Sequence, residues 1–149
     1  MDVLRERIAD DMRGAMKARE AVRVAALRML MAAVKNAEIE KRHELSDDEV
    51  LDVVTREAKR RRESIEAFEK GGREDLVAKE TAELTVLDSY LPERLNDEEL
   101  AALVDAAIAE TGADSAKQMG EVMKALMPKL RGRADGGRVS ALVKARLGG

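Results

Sequence analysis

The only histidine of the chain, His43, follows Glu40 by three residues. Glu-x-x-His on a helix is the spacing by which di-iron carboxylate bundles hold metal, but such bundles need the motif on two helices. A single histidine supplies one motif, so the pair reads instead as a surface residue near a helix end, where a positive ring suits the helix dipole. Nucleophilic catalysis meets the same obstacle. The chain has no cysteine, and a serine or threonine nucleophile would have only His43 as a conventional base. Carboxylates are plentiful, yet they fall on polar helix faces. The run Gly132-x-x-x-Gly136-Gly137 lacks the Lys-Ser/Thr that completes a phosphate loop, and no strand precedes it. No residue is assigned a catalytic role, and no metal or cofactor is expected.

Binding chemistry is better represented. From Lys117 to Gly149 there are eight basic residues against two acids, Glu121 and Asp135, a balance of +6 that leaves −9 for residues 1–116. Lys124, Lys129, Arg131, Arg133, Arg138 and Lys144 are the candidate phosphate contacts. Arg131 and Arg133 flank a glycine in an expected turn, and Arg138 lies in the first turn of a helix, where a cation opposes the dipole. The region has no aromatic residue, so base stacking is excluded and backbone or shape recognition remains. The competing reading is a basic face docked on the acidic first part of the chain. Two other features carry both a binding and a structural reading. Met119, Met123 and Met127 form a stripe at helical spacing that is either core or an adaptable docking groove. Lys59–Arg62 is flanked by Glu57, Glu63 and Glu66, which predicts a solvated, salt-bridged helix face.

The elements that would carry these residues are all helices. Helix formers dominate, Trp is absent, and Pro occurs only at 92 and 128. The periodicity predicts a first helix over 2–18, started by Asp2. A second over 20–42 is apolar on most sides and so is expected as the spine of a bundle. A third begins at the capping box Ser46–Glu49, has a buried stripe of Val50, Val54, Ala58, Ile65 and Phe68, and stops at Gly71-Gly72. A fourth covers 74–91 and ends before Pro92. Three shorter helices follow: one from Asn96 with Glu99 to Gly112, one from the box Ser115–Gln118 to Pro128, and one capped by Asp135. The free N–H groups at Gly136 and Gly137 could meet an anion. The expectation is an all-α chain, a four-helix domain over 1–92 and a small three-helix domain over 96–149.

The absence of cysteine fits a reducing compartment. MDVLRERIADDM lacks the apolar core of a signal peptide, and no apolar run approaches a membrane span, so the cytosol is the expected location and no membrane partner is expected.

Four blocks, LRMLMAAVKNAEIEKR (27–42), REAKRRRESIEAFEKGGREDLVAKE (56–80), SYLPERL (89–95) and MGEVMKALMPKLRGRADGGRVSALVKARL (119–147), resemble the YqeY-like family over nearly the whole chain. The resemblance implies a two-domain helical protein whose C-terminal part is similar to the tail domain of GatB, a subunit of the glutamine-dependent tRNA amidotransferase. The residues that carry this likeness are Gly120–Ala125, Gly132–Asp135 and Val139–Lys144. In the amidotransferase that tail contacts tRNA while chemistry happens elsewhere. The family's association with carbon–nitrogen ligation therefore implies an association rather than an activity of this chain. The implied role is a non-catalytic adaptor that meets tRNA or another structured RNA. The alternative is a protein-interaction module that docks a partner through its sixth and seventh helices.

Overall fold

The computed structural model describes residues 3–148, and among them the regular structure is entirely helical. The chain divides into two compact units, Met1–Pro92 and Glu93–Gly149.

The first unit holds α1 (Leu4–Ala18), α2 (Ala21–Lys41), α3 (Asp47–Lys70) and α4 (Glu74–Asp88). The Asp2 start expected for the first helix lies outside the described residues. The Leu4 N–H, one of the donors a helix start leaves orphaned, reaches Asp47 Oδ1 on α3 at 2.9 Å. The capping box at Ser46 is present: Ser46 Oγ accepts from Glu49 N at 3.2 Å, and Glu49 Oε1 accepts from Ser46 N at 3.0 Å. Gly72, at φ 68°, takes the left-handed conformation that ends α3. Helix α2 packs on α1, α3 and α4, as a spine should. Its buried residues, Ala26, Leu27, Leu30, Met31, Val34 and Ala37, occupy one arc only, and Val22, Met29 and Ile39 are exposed.

Two expectations for α3 and α4 change. Ile65 and Phe68 are only half-buried, whereas Val53, Glu57 and Arg61 join Val50, Val54 and Ala58 in the buried stripe. Helix α4 stops at Asp88 rather than Leu91 because Tyr90 and Leu91 bond back in tight turns to Leu87 and Asp88 ahead of Pro92. Tyr90 is buried there, donating to Asp11 Oδ2 at 2.6 Å, with the Arg7 guanidinium 5.0 Å from its ring centre.

The second unit comprises α5 (Asp97–Thr111), a 3₁₀ turn (Ala116–Gln118), α6 (Met119–Leu130) and α7 (Gly136–Arg146). Leu100, Val104, Val122, Leu126, Val139 and Val143 form its fully buried centre. Asn96 and Glu99 make the expected capping box, and Gly112 closes α5 at φ 68°. No side-chain bond from Ser115 caps the next turn. Gln118 Oε1 instead accepts from Asp114 N at 2.9 Å, one residue earlier, because the chain enters a 3₁₀ turn and shifts the register. Pro128 does not end α6. It lies in the last turn, where the helix forfeits one bond and continues to the buried Leu130.

Candidate nucleic-acid interface

The basic residues of the second unit sit on α6, on the turn after it and on α7. The apolar faces of those helices, Val122–Leu126–Leu130 and Val139–Val143–Leu147, anchor them against α5. Burial of one face leaves the intervening positions outside, so Lys124, Lys129 and Lys144 are exposed. Arg131, Arg133 and Arg138 are half-buried.

Lys129, Arg133 and Arg138 have partners inside the unit. Lys129 Nζ lies 3.6 Å from Glu110. The Arg133 Nε donates to the Glu93 carbonyl at 3.2 Å, and the Arg133 carbonyl accepts from Leu95 N at 2.9 Å. Arg138 donates to the Leu95 carbonyl at 3.3 Å and pairs with Asp97 in the first turn of α5. Together these bonds tie the segment entering α5 to the turn that precedes α7. Arg138 thus has a structural task that its unfavourable place near a helix N-terminus did not suggest. Arg146 similarly meets Asp105 at 3.0 Å. Among the described residues Lys124 and Lys144 make no ion pair, and Arg131 is engaged within the chain.

Charge counted over the whole unit changes the picture drawn from Lys117–Gly149 alone. Residues 93–149 carry nine basic side chains, Arg94 and the eight already counted. They also carry nine acids, the two already counted with Glu93, Asp97, Glu98, Glu99, Asp105, Glu110 and Asp114. The unit is neutral, and acids of α5 neutralise cations of α6 and α7. No net field of the unit favours an anion, so the charge balance alone does not mark this surface as a phosphate site.

The start of α7 is already occupied: Asp135 Oδ1 accepts from Gly137 N at 3.0 Å, which removes a donor from an incoming anion. Met119 and Met123 pack against the core, and only Met127 of that stripe is exposed. The docking groove pictured for the methionines is reduced to one residue.

In the first unit, His43 is exposed, with Nδ1 2.7 Å from the Glu44 carbonyl and Nε2 3.7 Å from Glu49. Among the described residues no group of three or more His, Cys, Asp or Glu is arranged to hold a metal ion. Glu49 accepts from Lys41 Nζ at 2.8 Å as well as from Ser46, and these bonds hold its carboxyl down at about 2. The Arg5 guanidinium grips both oxygens of Glu38, at 2.8 and 2.9 Å, and holds that carboxyl below its ordinary range.

The charge cluster that sequence reading missed is centred on Arg61. It was expected on a solvated face, yet it is 5% exposed. Its guanidinium lies 3.2 Å from Glu83, 3.5 Å from Glu80 and 3.9 Å from Glu57, with Met29 Sδ at 3.4 Å. Glu57 and Glu83 are themselves buried. A legible signal existed: Arg61 continues the stripe Val54–Ala58 at i+3. Its partners on α4 carry the same signal: Glu80 and Glu83 fall at i+4 and i+7 from Leu76, and Glu83 four residues before Leu87. Glu57 also borders a cleft of about 200 Å³ between α2 and α3, lined by Asn36, Glu40, Arg56 and Arg60 among small apolar residues.

Comparison with known proteins places this geometry in context. A model of Yqey-like proteins matches residues 5–147. A protein of Eremothecium gossypii named "Altered inheritance of mitochondria protein 41, mitochondrial" is 37% identical over 106 residues, 69% of this chain and 58% of that protein. The protein of the same name from Pyrenophora tritici-repentis is 30% identical over 135 residues, 89% of this chain and 74% of its own length. That of Kluyveromyces lactis is 36% identical over 84 residues, 56% of this chain and 45% of its own length. The chain thus spans about half to three quarters of the length of these relatives. All three are named as mitochondrial, which overturns the cytosolic expectation. That expectation rested on the absence of cysteine and of a signal peptide, features that do not separate one reducing compartment from another.

Proposed function

The chain belongs to the YqeY-like family, and from that premise we propose that it is a non-catalytic adaptor whose second unit contacts the phosphate backbone of tRNA or another structured RNA. The observation that carries the reading is the pair Lys124 and Lys144. Both are exposed on the stretch that resembles the GatB tail, and among the described residues neither meets a carboxylate. Lys129, Arg133 and Arg138 are already bonded within the unit, which makes them secondary contacts beside those lysines. Recognition is of backbone and shape, because no aromatic side chain is present between Pro92 and Gly149 to stack on a base.

A neutral unit with two leading contacts binds weakly, and each contact contributes slightly less than one unit to the slope of log affinity against log salt. Titration of labelled tRNA with the full chain, at several salt concentrations, tests the reading. Binding weakened by Lys124→Glu with Lys144→Glu, and left sequence-tolerant, supports it. Binding that is undetectable at low salt, or indifferent to both substitutions, contradicts it.

A further inference from the structure

Helix α2 is apolar on two faces; the fold buries one of them and meets the other only along its α3 edge, at Met29 and Asn36. The uncovered face repeats with a period of seven: Val22, Ala25, Met29, Ala32, Asn36 and Ile39 fall at consecutive a and d positions of a heptad. Val22 is 46% exposed, Met29 49% and Ile39 75%, and Ala32 and Asn36 are open as well. The residues α2 fully buries in its own unit lie at other heptad positions; of the seam, Ala25 is half-buried, Met29 touches Arg61 and Asn36 borders the α2–α3 cleft, but none is buried. A strict a/d seam is the mark of helix pairing rather than of a globular core face. It runs 18 residues, roughly 27 Å at the helical rise.

We propose that this seam pairs with the same seam of a second copy of the chain, as a parallel two-stranded coiled coil. The polar residue selects the occupant and the direction. Asn36 occupies an a position, and in a parallel pair it faces its own counterpart, so that each amide finds a partner. In an antiparallel pair it would face Ala25 and lose that partner on burial. The flanking charges agree. Lys35 stands at g and Glu40 at the following e, the relation in which a lysine of one strand meets a glutamate of a parallel partner. Both are exposed, and among the described residues neither is committed to an ion pair. An antiparallel pair would instead bring Arg28 and Lys35, both at g, against each other. The alanines at d let the backbones approach closely. Because α2 is already helical in its own unit, pairing incurs no cost of forming the helix.

Sedimentation equilibrium of the full chain tests this pairing independently of the RNA reading. A dimer with a micromolar dissociation constant is expected, and Ile39→Asp should weaken it at least tenfold. Ile39 is exposed, so circular dichroism of that variant should match the parent. Lys35→Glu and Glu40→Lys should each weaken the dimer, and the double exchange should restore it. Ala32→Cys, in a chain with no other cysteine, should form an intermolecular disulfide under oxidation, because residue 32 meets its own counterpart only in the parallel pair. A chain that stays monomeric up to about 1 mM overturns the proposal. So does a dimer indifferent to Ile39→Asp, or a seam that captures a helix of another protein in place of a second copy.

Discussion

Replacing Arg61 with alanine leaves the buried carboxylate of Glu83 without its cation, while Glu57 keeps only Arg60, at 3.3 Å. In the parent, Arg61 lies within 4 Å of Glu57, Glu80 and Glu83. Removing one partner of a buried ionic cluster costs about 3–5 kcal/mol, because the charge left on Glu83 has lost its buried counter-ion. A domain of this size holds about 5–15 kcal/mol in total, so the loss consumes a large share of the first unit's stability. At roughly 4–8 °C per kcal/mol, melting should fall by more than about 12 °C. The sole tyrosine, Tyr90, is buried in this unit, so its emission during urea unfolding reports the unit separately from the rest of the chain. Arg61→Met with Glu83→Leu should recover much of the loss, because a packed apolar pair leaves less charge unpaired. A shift of less than about 1 kcal/mol for Arg61→Ala would show that the cluster is solvated rather than buried.

Acid titration should show the contribution of Glu49. Its folded carboxyl titrates at about 2, below its unfolded value. The stability it confers is therefore complete above the unfolded value and is lost as pH falls through the folded one. Glu49→Gln should flatten that part of the acid-unfolding profile, and an unchanged profile would count against the capping role. In the second unit, Leu126→Ala opens a cavity in a fully buried position and should cost about 2–5 kcal/mol, measured by thermal melting. Asn96→Ala should cost about 0.5–2 kcal/mol in the same unit through loss of the α5 cap.

Local signals were the legible ones. Ser46 with Glu49, Asn96 with Glu99, and Asp135 each act within three residues, so the sequence alone locates those helix starts. Gly72 and Gly112 end helices for an equally local reason. Ser115 with Gln118 carried the same signature, but a 3₁₀ turn moved the register by one residue. Tertiary pairing was not legible. Arg61 lies within a basic run that reads as surface, and only the packing of α3 against α4 brings Glu80 and Glu83 to it. Likewise, Lys117–Gly149 reads as strongly basic in isolation, and only the packing of α5 shows that Asp97, Asp105 and Glu110 are its counter-ions. Helix α2 reads as apolar on most sides because two patterns overlap in it, one for its own unit and one left exposed.

The adaptor reading stands on how RNA affinity responds to salt. Anisotropy of labelled tRNA, followed from low to physiological ionic strength, gives a slope for the parent chain and for Lys124→Glu with Lys144→Glu. Weak binding is expected, with a slope that falls by nearly two units in the double variant, while Arg146→Gln leaves it almost unchanged. Equal slopes for parent and double variant, or no binding by the parent at low salt, would contradict the adaptor reading.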